Sequence, residues 1–397
     1  MYLDHAATTP VREDVLAAML PYFGDVGFNP SSLHAEGRAA RAALDGARAS
    51  VARLLGAKPR EIVFTGGGSE ADNLAILGAA RARRAAGTHV VTAATEHHAV
   101  LHAMDVLRDD GFEVTVLPVD GDGRIDRGAF EAALRPGTVL ASLMLANNEL
   151  GTLHPVAELA RLARARGVLF HTDAVQAPGR VALDVDALGV DLLALSAHKF
   201  YGPKGVGALY VRSGTPLQPL VVGGGQEAGL RAGTENVAGI VGFARALELA
   251  TAEMPDESAR LGRMRDRFER ALVAALPGVR INAGAAPRLP NVASVAFAGM
   301  DATELLIRLD LEGVAVSAGS ACAAGSTEPS HVIAALGAPA WVQTGTIRFS
   351  FGKLTSEQDV ERLTSMLCRV SRGRRVGGDD LGTSYCDPSA GRPEVRS

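Results

Sequence analysis

The residue with the most chemistry to offer is Lys199, in the stretch DLLALSAHKFYGPKGVG from Asp191 to Gly207. Leu192 to Leu195 and then Ser196 read as a strand buried on both faces, with Ser196, His198 and Lys199 at its carboxyl end. Open α/β sheets bind ligands just outside that end of their strands. A lysine there forms a Schiff base with a carbonyl compound once its neighbours lower its pKa. A surface lysine after a strand leaves the same local pattern, so the reading depends on what else converges.

Three other apolar runs end in polar clusters: His97 and His98, Asn147 to Glu149, and His171 to Gln176. Another short strand, Ile62 to Phe64, runs into Gly66, Gly67 and Gly68, after which Ser69 opens a helix with Glu70 and Asp72 in its first turn. Free N–H groups at such a helix start hold a phosphate, and the spacing is neither the Walker pattern nor the dinucleotide fingerprint. Singly, each cluster has an ordinary explanation: a hydrogen-bonded histidine, turn asparagines, an N-cap at Asp173, a tight glycine turn. Jointly, a lysine, a strand-end aspartate, a flat histidine and a phosphate-type turn suit pyridoxal phosphate (PLP). That cofactor needs an amine, a partner for its pyridinium nitrogen, a ring stack and a phosphate cradle.

Three further groups stand outside these clusters. Cys322 lies in SAGSACAAGSTEPSHV, Ser317 to Val332, whose small residues read as a mobile loop that lets a thiol travel, although a packed, inert cysteine is the commoner case. Arg348, on the strand TIRFSFG, offers a fork for a substrate carboxylate. A second glycine-rich loop, Gly223 to Asn236, carries Gln226, Arg231 and Thr234.

The elements that must position these groups alternate strand and helix, which predicts an α/β fold with a mainly parallel sheet covered on both faces. Thr9 and Pro10 read as the N-cap and first position of a helix to about Phe23. A helix from about Val237 ends near Ala252, and MPDES, Met254 to Ser258, reads as a domain joint before a new amphipathic helix. NVASVAFAG and VAVSAG read as strands of a smaller α/β unit, and Thr355 to Gln358 as the capping box of the last helix, which carries Cys368. The expected organisation is a large domain over residues 13–255, a small one over 1–12 and 256–370, and a disordered tail over 371–397.

Over 397 residues, 47% hydrophobic and 21% charged, the composition is that of a globular protein. A formal net charge of -4 without a basic stripe argues against nucleic acid as a direct partner. No apolar run approaches the roughly 18 residues that span a bilayer, and no basic region followed by an apolar core opens the chain, so neither membrane nor secretory signal is expected. Cys322, Cys368 and Cys386 have no metal-like spacing, which implies free thiols in a reducing cytoplasm and no metal site.

The stretches YLDHAATTP, NPSSLH, FTGGGSEADN, TEHHAV, NNELG, TDAVQ, SAHKFYGPKG, GGGQEAGLRAGT and GSACAAGSTEPSHV resemble, in order and spacing, the cysteine desulfurases among the fold-type I, class V PLP enzymes. The resemblance extends to about residue 370, and the GSAC form of the cysteine loop resembles the housekeeping iron–sulfur branch. It implies that Lys199 carries PLP, that His97 stacks on the ring and moves protons, that Asp173 pairs with the ring nitrogen and that Gln176 contacts the phenolic oxygen. It also implies that Gly68, Ser69, Ser196 and His198 hold the phosphate, with Thr234 reaching in from the second subunit of a homodimer. Asn148 fits the asparagine that contacts cofactor or substrate better than Asn147 does, and Arg348 resembles the anchor of the substrate carboxylate. The implied reaction turns L-cysteine into L-alanine and leaves a persulfide on Cys322 for acceptors in iron–sulfur assembly or tRNA thiolation. The chain departs from the family at Asp4-His5, where Asp-Asn is common, and at Gly67-Gly68-Ser69, where Gly-Ala-Thr is common. Two other readings stay open: a class V aminotransferase or selenocysteine lyase in which the loop cysteine is incidental, and a sulfur-carrier scaffold.

Overall fold

The computed structural model describes residues 1–319 and 329–372. Seven strands form the larger sheet: β1 (Ile62–Thr65), β2 (His89–Ala93), β3 (Glu113–Leu117), β4 (Thr138–Ser142), β5 (Leu169–Asp173), β6 (Leu192–Ser196) and β7 (Gly207–Val211), in the order β1-β7-β6-β5-β4-β2-β3. Only β7 runs against the others, because it pairs antiparallel with both β1 and β6 while the remaining pairs are parallel. This reversed strand, GALYV, is absent from the expectations above: it follows β6 after a short turn, where strand and helix alternation predicts a helix.

Successive side chains of a strand point to opposite faces, and both faces are covered. Leu192 and Ala194 pack with Ala71, Leu74 and Met104, whereas Leu193 and Leu195 pack with Leu44, Val51 and Phe243. The first set belongs to α3 (Gly68–Ala82) and α4 (His98–Asp109), after α1 (Glu13–Met19) and α2 (Ala35–Leu55) in the chain. The second face receives α2 and the first half of a later helix. Burial on both sides explains why β2, β4 and β6 are mostly apolar, while β5 (LFHTD) turns polar towards its carboxyl end.

The remaining helices of the large unit are α5 (Arg127–Ala133), α6 (Val156–Ala165), α7 (Val185–Leu188) and α8 (Val237–Ala275). α8 corrects the expected helix break at Met254 to Ser258: it is one helix of 39 residues with Pro255 inside it. The penalty of an interior proline is offset by packing at both ends, since Ile240, Phe243 and Leu247 enter the large core while Leu261, Phe268 and Leu272 enter a second one. That second core lies on a three-stranded antiparallel sheet ordered β10-β9-β8, from β8 (Val279–Ile281), β9 (Val292–Phe297) and β10 (Thr346–Ser350). It also takes in α9 (Ala302–Leu311) and, after α10 (His331–Ala335) and α11 (Ala340–Thr344), α12 (Glu357–Arg372), with buried Cys368 inside it.

Three local expectations change. VAVSAG contributes only isolated bridges, Tyr2 with Ala315 and Ser317 with Arg348, because its neighbours are the arm and the middle of β10. The box that opens α12 is one residue later than Thr355: Asp359 N–H donates to Ser356 Oγ at 3.1 Å and Ser356 N–H donates to Asp359 Oδ2 at 2.9 Å. Thr355 closes the preceding turn instead, accepting from Gly352 N–H. Nor does Thr9 cap a helix. α1 starts at Glu13, and the Thr9 hydroxyl donates to the His198 carbonyl (2.9 Å) and accepts from Tyr201 N–H (2.7 Å). The N-terminal arm therefore bridges the small sheet, where Leu3 is fully buried, to the turn that carries Lys199. Residues 371 and 372 close α12, and the rest of the expected tail, Cys386 included, lies outside the described residues.

Candidate active site

The carboxyl ends of β2, β4, β5 and β6 share one rim because these strands are parallel, and groups just beyond them line a cavity of about 200 Å³. Lys199 enters from the turn after β6. Its Nζ donates to the arm carbonyls of Ala6 (2.8 Å) and Ala7 (2.7 Å), so the amine is held at the cavity wall. Its own carbonyl accepts from the buried guanidinium of Arg180 at 3.1 Å, which fixes the turn from below.

Two glycines bring the phosphate-type turn beside this lysine. A Cβ at Gly207 would stand 2.8 Å from Gly67 Cα and 2.7 Å from the Leu195 carbonyl, so only glycine lets the turn lie across β7. A Cβ at Gly68 would meet Val175 Cγ2 at 2.8 Å and Ser196 Cβ at 3.3 Å. The N-terminal turn of α3, with Gly68 and Ser69, thus faces Ser196 and His198 across the same cavity. His198 Nδ1 is hydrogen-bonded to Thr8 Oγ1 at 3.0 Å, which orients the ring.

His97 caps α4, its Nδ1 accepting from Ala99 N–H at 3.1 Å, so the neutral ring carries its proton on Nε2. Burial first, and the Lys199 cation second, lower its pKa to about 4. Asp173 ends β5 and accepts from Val175 N–H at 2.8 Å. Burial, and then the neighbouring Asp72, push its carboxyl up to about 7. Asp72 is itself pushed up to about 8 by burial, and its Oδ1 stands 3.5 Å from His171 Nε2. Gln176 donates its amide N–H to the Ala6 carbonyl at 2.9 Å, while its Oε1 is buried without a partner.

The two asparagines separate cleanly. Asn147 is spent on structure, its Oδ1 accepting from Glu149 and Leu150 N–H, whereas Asn148 lines the cavity and its carbonyl accepts from Arg348 Nη1 at 2.9 Å. Arg348 is 2% exposed, and its Nη2 meets Asp4 Oδ1 at 2.7 Å. Thr234 is exposed and does not line the cavity of its own chain. Cys322 falls in residues 320–328, outside the described ones, but the segment's far flank is tied to the rim: Ser330 Oγ donates to Glu149 at 2.5 Å. Sequence reasoning missed the arm carbonyls, Arg180, and any site role for Asp72 and Asp4. Asp72 reads from the sequence as a first-turn acid that a helix-dipole pairing explains equally well, whereas in the structure only Glu70 lies in the first turn of α3 and Asp72 follows it.

The donor set fits PLP: an amine at Lys199, an uncompensated acid at Asp173, an unpartnered oxygen on Gln176, and a helix start closed to any side chain at Gly68. The class-V aminotransferase family model matches residues 1–363. The chain belongs to that family. Within it, a cysteine desulfurase IscS of Dictyoglomus turgidum (strain DSM 6724 / Z-1310) is 49% identical over 370 residues, 93% of this chain and 94% of the relative. A second, from Methanosarcina thermophila, is 46% identical over 370 residues, 93% of this chain and 91% of the relative. Among solved structures, a NifS-like protein superposes with a TM-score of 0.89 at 35% identity, covering 94% of this chain and 99% of its own. SspA in complex with cysteine superposes at 0.79 with 39% identity, covering 88% and 98%. The chain is thus similar throughout to the cysteine desulfurases, the PLP-dependent branch of this family that its motifs resemble.

Proposed function

We propose that this cysteine desulfurase converts L-cysteine to L-alanine, with the sulfur passing to Cys322 as a persulfide and on to acceptor proteins for iron–sulfur cluster assembly or tRNA thiolation. What carries the reading is one cavity in which Lys199, Asp173 and Gln176 stand together with Arg348 and Asn148. The solved relative that holds cysteine supports the substrate.

PLP, when bound, supplies an electron sink that labilises bonds to the α-carbon of an amino acid. Lys199 would hold it, Asp173 would pair with its ring nitrogen, and Gly68, Ser69, Ser196 and His198 would take its phosphate, with Thr234 added from a partner subunit. Arg348 binds the α-carboxylate beside Asn148. Lys199, with its amine free, would be the base that takes the α-proton, and neutral His97 would present its Nε2–H, since Nδ1 is held by the Ala99 N–H. The Cys322 thiolate then attacks the substrate sulfur. The S–S bond would form as the C–S bond breaks, with the electron pair going to the β-carbon; a proton from the thiols completes the methyl group there, and the proton held by Lys199 returns to the α-carbon to complete alanine. Atoms balance without another reactant: cysteine and one enzyme thiol give alanine and one enzyme persulfide.

A homodimer suits the exposed Thr234 and the exposed apolar side chains Leu20, Phe23, Leu33 and Val222. We read residues 13–255 as the large domain and 1–12 with 256–370 as the small one, each around its own core, and a reducing cytoplasm as the setting, since the three cysteines have no metal-like spacing. Single-turnover mass spectrometry with peptide mapping tests the function. L-cysteine is expected to add one sulfur to Cys322 as alanine appears, and Cys322→Ser to abolish that gain. Alanine formed by Cys322→Ser at the parental rate would sink the assignment.

A further inference from the structure

The guanidinium of Arg348 is not simply free for a ligand. Its Nη2 is already paired with Asp4 Oδ1 at 2.7 Å, its Nη1 is given to the Asn148 carbonyl at 2.9 Å, and its Nε is buried without a partner. Neither side of the ion pair can swing away easily. Arg348 sits in β10 opposite Ser294 of β9 and is 2% exposed. Asp4 is pinned by its backbone, which bridges to Ser350, while its carbonyl accepts from Ala7 N–H at 3.0 Å and from the Tyr2 hydroxyl at 3.1 Å.

An arginine with no counter-charge at the edge of a cavity would bind any α-carboxylate through a surplus positive charge. Here that charge is neutralised before the ligand arrives. Substrate and product of the proposed reaction carry the same α-carboxylate, so tight binding at this group would hold both equally and would not favour the transition state. We propose that Asp4 is a built-in competitor of the α-carboxylate for Arg348, which orients the guanidinium while keeping amino-acid binding weak enough for alanine to leave. This rests on Arg348 being the carboxylate anchor.

The test uses holoenzyme and compares two inhibitors of L-cysteine turnover: L-alanine, and ethylamine, which lacks the carboxylate. Asp4→Asn keeps an acceptor for Nη2 and removes only the charge. It is expected to lower the inhibition constant of L-alanine and the KM for L-cysteine together by about tenfold, the scale of one nearby charge in a partly screened site, and to leave ethylamine unmoved. Should that variant fail to fold, Asp4→Ala is measured for the same direction of change. Unchanged or weakened L-alanine binding in a folded variant overturns the proposal, and so does an equal tightening of ethylamine, which would report a general rearrangement. Arg348→Ala tells the two failures apart. If it weakens L-alanine while Asp4→Asn does not tighten it, only the competition fails; if it leaves L-alanine unchanged, the anchor itself is wrong and the proposal falls with it.

Discussion

Two ends of the same cavity handle buried charge in opposite ways. At one end Asp173 accepts a single N–H and makes no salt bridge among the described residues, while Asp72 beside it raises its pKa further. At the other end Arg348 is already neutralised by Asp4. A buried, uncompensated carboxyl is costly, and it is tolerable where a cationic group settles permanently, as a PLP ring nitrogen would. A compensated arginine suits a ligand that must arrive and leave at each turnover. The contrast separates a resident group from a transient one, and each end can be broken on its own.

The largest effect is expected at the uncompensated end. Asp173→Asn keeps the size of the side chain and its acceptor for Val175 N–H but removes the anion. Loss of one partner of a buried pair costs on the order of 3–5 kcal/mol, so kcat/KM should fall about 10³-fold, with KM for L-cysteine changed little. Steady-state kinetics at saturating PLP checks this. A drop confined to KM would erase the distinction between the two ends. At the compensated end, Arg348→Lys keeps the charge and loses the fork that serves Asp4 and Asn148. Here KM should rise, by about 10²-fold if charge-assisted hydrogen bonds of the usual strength are lost, while kcat falls much less.

Much of this site could be read from the chain because strand ends are local signals: an apolar run, then Lys199, Asp173, His97 or Asn148. The groups that complete it were illegible for a physical reason. The Thr9 hydroxyl finds its partners 189 and 192 residues away, while a threonine before a proline carries a strong local capping signal. Pro255 likewise marks a break by propensity, and packing against two cores overrides it in α8. Nothing in the residue types announces the Arg348 partner of Asp4 or the burial of Asp72. One lies in an arm held by Ser350 and the other in a helix turn roofed by β5, so both depend on tertiary contacts.

The smallest effect on turnover is expected from Asp72→Asn, and its pH dependence sharpens the contrast most. With its pKa pushed up to about 8, Asp72 is largely protonated at neutral pH, so an amide that is never charged should change kcat/KM by no more than about twofold there. Stability behaves differently. The folded-state pKa lies above the unfolded value near 4, so the folded state holds a proton that the unfolded state has lost across that interval, and stability is lost as pH rises through it towards 8. The variant has no such proton to lose. Between pH 5.5 and 8.5, urea unfolding of the PLP-free protein should therefore show a smaller loss of stability for Asp72→Asn than for the parent, by on the order of 2 kcal/mol. An equal loss in both proteins would mean that Asp72 is ionised in the fold, balanced by His171 3.5 Å away, and this end of the cavity would then hold no buried proton to set it apart from the Arg348 end.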